Sequence, residues 1–109
     1  MSSITIQSME HLDDWLEKNR LALLFISKNN CSVCHSLYPQ IESMLEEFPA
    51  ISLGYSVVDN FPNLAGRFLI FTAPVIILFV DGKEYLREAR MVHLDQFHYQ
   101  LQRVIQSIF

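Results

Sequence analysis

Two sulfur-bearing residues carry the chemistry in this chain. Cys31 and Cys34 are its only cysteines, three positions apart in the run Asn30-Cys31-Ser32-Val33-Cys34-His35. A disulfide between them would close a loop too small to staple a scaffold. The pair therefore points to catalysis or ligation rather than to structural cross-linking. Two sulfurs bond only when their Cα atoms lie within about 7 Å, a spacing that one turn at a helix start provides. At such a start unpaired backbone N–H groups converge and the helix dipole favours negative charge. A thiolate at Cys31 is stabilised there, and its pKa is expected below the free value of about 8.5, in the range ~3.5 to ~7.5. Cys34, one turn further in, is expected to be shielded and to act as the resolving thiol. Cys31 would attack a partner disulfide, and Cys34 would then release the reduced partner.

Other chemistries share this spacing. A zinc site needs four protein ligands, commonly two such cysteine pairs or one pair with two spaced histidines. His11, His35, His93 and His98 are scattered, and only His93 and His98 have a ligand-like spacing, so no metal ligand is assigned. Cys31-Ser32-Val33-Cys34-His35 also satisfies the formal pattern of c-type haem attachment. Haem would require a largely helical chain with a second axial ligand, and the apolar strands flanking this segment leave little room for a porphyrin. His35 reads as an exposed residue of the helix's first turn. If protonated, it would also favour a nearby thiolate.

The elements that must position the pair follow from the hydrophobic pattern. Met9, Leu12 and Leu16, with Trp15 beside them, recur at helical spacing, so residues 9 to 19 read as an amphipathic helix with Ser8 as its N-cap. Leu21 to Ile26 is an unbroken apolar run, the signature of a central strand buried on both faces. The polar loop Ser27-Lys28-Asn29-Asn30 delivers Cys31. Cys34, Leu37, Tyr38, Ile41, Leu45 and Phe48 mark a helix over 32 to 48, with Pro39 inside it as a kink and Pro49 as its stop. A strand is expected over Ile51 to Val58, and a loop with a short helix over Asn60 to Phe71. Val75 to Val80 is a second buried strand. Asp81-Gly82 is the strongest hairpin signal, leading into a charged edge strand over Lys83 to Val92. Leu94, Phe97, Leu101, Val104, Ile105 and Ile108 mark a closing helix, and Ile4-Thr5-Ile6 a short opening strand. Alternation first and a hairpin last imply an α/β sandwich with a mixed sheet and helices on both faces.

Composition narrows the function. The 109 residues are 50% apolar and only 18% charged, which suits one folded domain over 1–109 and argues against disorder. Lys plus Arg number 8 against 12 Asp plus Glu, without a basic cluster. That balance gives no footprint for nucleic acid and no polybasic patch for a membrane surface. The longest apolar runs fall far short of a membrane span, and the first residues lack a basic segment followed by an apolar one. A cytoplasmic location is expected.

With these residues in place, the chain resembles the thioredoxin family over nearly its full length. The resemblance is carried by the strand Leu21–Ile26, the Cys31/Cys34 pair, Pro39 five residues after Cys34, and Asp59 before the third helix. Thr72-Ala73-Pro74-Val75, leading into Val75–Val80 and Asp81-Gly82, completes it. It implies a thioredoxin-like sandwich and a cis-proline at Pro74 facing the dithiol. It also implies a groove lined by Ala73 and Pro74, flanked by Thr72 and Asn30, where extended substrate backbone pairs beside the sulfurs. The implied activity is thiol-disulfide exchange by a monomer without a bound organic cofactor. Its partners would be protein disulfides and an electron donor, either a thioredoxin reductase or a small thiol.

Three departures from the family pattern stand out. Thioredoxin proper has Trp-Cys-Gly-Pro-Cys where this chain has Asn30-Cys31-Ser32-Val33-Cys34, a change that should shift the redox potential. The family's buried acid, credited with assisting the resolving thiol, maps onto Phe25. Arg87-Glu88-Ala89-Arg90-Met91 sets bulky side chains where the family has a Gly-containing, substrate-facing loop; the segment reads either as a solvated edge strand or as an altered partner surface. A second function class therefore stands beside the first: a thioredoxin-fold binding or chaperone-like module with a weakly active dithiol.

Overall fold

Seven consecutive residues, Leu21–Ser27, are all buried. A backbone buried on both faces must find its hydrogen bonds sideways, in neighbouring strands. In the computed structural model, which describes residues 3–108, this segment is β2, the middle strand of a five-stranded sheet of order β1-β3-β2-β4-β5. The other strands are β1 (Ile4–Thr5), β3 (Ser52–Val57), β4 (Val75–Val80) and β5 (Lys83–Ala89). β1 and β2 run parallel to β3, whereas β4 runs antiparallel to both β2 and β5. The sheet is mixed, as expected.

Alternation along β2 divides the core. Leu21, Leu23 and Phe25 face Ile41, Leu45, Phe97 and Leu101, which come from α2 (Ser32–Leu45) and α4 (Leu94–Ile108). Ala22, Leu24 and Ile26 face Leu12, Trp15, Leu16 and Leu64, from α1 (Met9–Lys18) and α3 (Asn63–Phe68). One strand thus nucleates both layers, because its successive side chains point to opposite faces.

Local signals set most boundaries. Ser8 caps α1, its hydroxyl accepting the His11 N–H at 3.0 Å. Asp81 and Gly82 join β4 to β5 with φ of 52° and 80°, the paired positive values that a tight hairpin requires. Several elements are shorter than their hydrophobic patterns predict. α2 ends at Leu45 rather than 48, and Phe48 folds back in a turn, its N–H bonded to the Leu45 carbonyl at 2.9 Å. Pro49 keeps the preceding residue out of helical conformation. β5 stops at Ala89 rather than Val92, because Arg90 adopts a left-handed φ of 66° and cannot extend a ladder. Val58 likewise leaves β3 for a 3₁₀ turn over Val58–Asn60.

Candidate active site

The site forms where the sheet's central strands meet the start of α2. Val75 opens β4 directly opposite Ile26 near the end of β2. The loop after β2 and the residues before β4 therefore emerge at the same end of the sheet. The first carries Asn30 and Cys31, the second Thr72, Ala73 and Pro74. Strand register, rather than proximity in sequence, brings these segments together.

Cys31 is the N-cap of α2 and Cys34 lies in its first turn. Their Cα atoms are 5.3 Å apart and the sulfurs are joined in a disulfide. The Cys34 N–H donates to Cys31 Sγ at 3.2 Å, and the Cys31 carbonyl accepts the His35 N–H at 3.3 Å. The sulfur thus takes the place that a Ser or Asp oxygen usually fills at a helix start. Cys34 is 2% exposed and Cys31 7%, so both residues are buried and Cys31 is the less covered. Ser32, Val33 and His35 are exposed on the same turn.

The preceding loop is tethered from across the sheet. The Asn29 N–H donates to Asp59 Oδ2 at 2.8 Å. Asn30 then takes a left-handed φ of 60°, which Asn tolerates better than most residues, and the chain turns into Cys31. On the opposite rim the Ala73–Pro74 bond is cis. Ala73 packs against the cluster that holds both cysteines; Pro74 is buried, Thr72 and Ala73 half-buried, and Asn30 exposed. The Pro74 carbonyl accepts the Arg90 N–H at 2.9 Å, which brings the end of β5 to the same rim.

The core cluster that holds both cysteines also carries a group of aromatic rings. Phe25 is fully buried; it meets the Tyr38 ring edge-on at 5.0 Å and stacks on Tyr55 at 5.9 Å. Tyr38 and Tyr55 are themselves 4.9 Å apart. The Tyr38 hydroxyl is bonded to Ser3 Oγ. Burial pushes the Tyr38 phenol above its ordinary range, outweighing the opposing effect of that hydrogen bond. Among the described residues, no three side chains of His, Cys, Asp or Glu converge as a metal-holding group. Nor is any helix among them long and apolar enough to cross a membrane.

Comparison with known proteins places this geometry. No protein-family model matches the chain. It is 40% identical over 99 residues to the thioredoxin-like protein YdfQ of Bacillus subtilis, covering 91% of this chain and 88% of that protein. The chain belongs to the thioredoxin family. Thioredoxin from Chlamydia trachomatis is 26% identical over 84% of this chain and 89% of its own. The crystal structure of thioredoxin from Trypanosoma brucei brucei shares the fold, with a TM-score of 0.86 at 17% identity, over 96% of this chain and 92% of that one.

For this thioredoxin-family site, the sequence had located the Cys31/Cys34 pair by its spacing, and the cis-proline at Pro74 and the position of Phe25 only through the family resemblance. It had not located the Tyr38–Tyr55 contacts, the Asn29 tether to Asp59, or the bond from Arg90 to Pro74. Asp59 stood out only through the family resemblance. The remaining contacts join residues from different elements and leave no periodic trace in the chain.

Proposed function

We propose that this thioredoxin-family chain is a thiol-disulfide oxidoreductase acting on protein disulfides through Cys31 and Cys34. The observation that carries the reading is the bridged pair at the mouth of α2, with the Cys34 N–H directed at Cys31 Sγ. In the reduced protein that N–H and the helix start favour a thiolate at Cys31. The Cys31 thiolate attacks one sulfur of a substrate disulfide; that bond breaks, a mixed disulfide forms, and one substrate thiolate leaves. Cys34 loses its proton to water and attacks Cys31 Sγ. The mixed disulfide breaks, the Cys31–Cys34 bond forms, and the second substrate thiolate departs. Two electrons have passed to the substrate, and a reductase or small thiol returns them to the pair.

Asn30, Thr72, Ala73 and Pro74 supply the substrate rim in this reading. Support comes from the shared end of the sheet and from Ala73 packing on the cysteine cluster. With Phe25 in place of an acid, no buried carboxylate among the described residues can receive the Cys34 proton, and resolution of the mixed disulfide is the step expected to be slow. Both of the chain's cysteines belong to the exchanging pair, which suits the reducing cytoplasm.

The test is substitution at each sulfur. Cys31→Ser should abolish reduction of insulin disulfides, while Cys34→Ser should accumulate a covalent adduct visible by mass spectrometry. Full activity in Cys31→Ser would overturn the assignment of the nucleophile. Negligible turnover by the unsubstituted protein, with an ordinary thiol titration, would favour the binding or chaperone-like module.

A further inference from the structure

Arg90 combines three features. It holds a left-handed φ of 66°, a conformation that Gly adopts freely and that strains most other residues. Its N–H is bonded to the Pro74 carbonyl at 2.9 Å, which fixes it on the rim beside the cysteines. Its guanidinium has no carboxylate partner among the described residues; Arg20, Arg67 and Arg87 each have one, and Arg103, which has none either, donates instead to the Tyr99 hydroxyl.

Its surroundings suggest what the unpaired cation meets. A groove of about 230 Å³ runs from Val33, between the two cysteines, past Leu37 and Gln40 to Arg90, Met91 and His93. No carboxylate lines it, although the chain as a whole carries a net charge of -4. Val33 and Met91 are exposed apolar side chains on its two walls. The groove thus presents apolar contact with one unpaired guanidinium, and it begins at Val33, in the two-residue segment between the cysteines.

We propose that Arg90 is a specificity-determining residue that selects disulfide substrates bearing a carboxylate beside the reacting cysteine. This rests on the oxidoreductase reading above. During exchange the substrate carboxylate pairs with the Arg90 guanidinium while its apolar neighbours lie along Val33 and Met91. The left-handed backbone turns the side chain off the line of β5, and the bond to Pro74 sets its distance from the cis-proline rim. The electron flow is unchanged: Cys31 and Cys34 become a disulfide and the substrate disulfide becomes two thiols.

The experiment uses two peptide disulfides that differ only in Glu or Gln next to the cysteine. Pre-reduced full-length protein is mixed with each, quenched with acid, and the released peptide thiol is counted by chromatography. The readout is the Glu/Gln rate ratio relative to that of Arg90→Gln, so that differences in leaving-group reactivity and losses of folded protein cancel. The unsubstituted protein should favour the Glu peptide by about fivefold at low ionic strength, as suits a part-exposed ion pair, and the preference should fade with added salt. Arg90→Glu should invert it. Arg90→Asn, which tolerates the left-handed backbone, should match Arg90→Gln. An unchanged ratio in both Arg90→Gln and Arg90→Asn would overturn the proposal while leaving the oxidoreductase reading intact. Failure of the unsubstituted protein to reduce either peptide faster than Cys31→Ser would overturn both.

Discussion

The carboxylate of Asp59 accepts the backbone N–H of Asn29 at 2.8 Å, across 30 positions of sequence. Asp59 lies in the turn that follows β3, and Asn29 in the loop that delivers Cys31. Because β2 and β3 are parallel and in register up to Ser27 and Val57, their ends emerge together and one side chain can hold the other's loop. Hydrogen bonds to an ionised acceptor are stronger than neutral ones, though exposure weakens this one. Asp59→Ala should lower stability by about 1 kcal/mol and reduce amide-exchange protection at Asn29, whereas Asp59→Asn, which keeps an acceptor, should retain part of both. Unchanged protection at Asn29 in Asp59→Ala would show that the tether does not hold the loop.

Gly54 in β3 is required by Trp15 of α1. A Cβ at this position would lie 2.9 Å from two atoms of the indole and 3.3 Å from Ile6. Trp15 is only 5% exposed and Ile6 1%, so neither yields easily. Gly54→Ala should destabilise the protein by about 1–3 kcal/mol, as overpacking of a filled core does. Urea unfolding followed by Trp15 fluorescence measures this. Adding Trp15→Phe should recover part of the loss, and equal loss in the single and double variants would contradict the close approach.

Tyr38 makes the alkaline limb of stability testable. Its folded phenol is raised above the ordinary range, chiefly by burial. As pH rises, the unfolded chain loses this proton first. The stabilisation is therefore complete below the ordinary phenol pKa of about 10 and is lost as pH climbs through the higher folded value. Tyr38→Phe should flatten that decline and remove a component of the phenolate absorbance that titrates above the ordinary range. Loss of a component at the ordinary phenol pKa of about 10 instead would show that Tyr38 ionises freely.

Glu84 and Arg87 on edge strand β5 bear on the acid limb. Arg87 donates from both sides of its fork, at 2.8 and 2.7 Å, and this holds the Glu84 carboxyl below its ordinary range. A carboxyl lowered in this way stabilises the fold above its unfolded pKa, and that contribution disappears as pH falls through the folded value. The pair is substantially exposed, so Glu84→Gln should cost less than about 1 kcal/mol at neutral pH. Thermal melts should show the difference shrinking to nothing in acid; a difference that persists there would assign it to packing instead.

Much of the fold was legible because its signals are local. Ser8 before an apolar periodicity, Asp81-Gly82 between two strand patterns, and the run Leu21–Ile26 each depend on neighbours within a turn or a hairpin, where backbone sterics and capping act. Element ends were less legible. The apolar pattern of α2 continues to Phe48 and that of β5 to Val92, yet Pro49 and the left-handed Arg90 end the regular backbone sooner. Side-chain patterning reports which face is buried, not where hydrogen bonding stops.

The amino-acid order alone determined that two sulfurs sit one helical turn apart, after a buried strand, in a chain with no excess of positive charge. Those properties follow from spacing along a single element. The tertiary structure alone decided that Asp59 would hold the loop before Cys31, that Tyr38 and Tyr55 would enclose Phe25, and that Arg90 would fasten to Pro74. Apart from Tyr38, which reaches Phe25 from α2, these contacts join neighbouring strands or their ends, and sheet register chooses the partners. Register emerges only when the whole core has closed on both faces of β2.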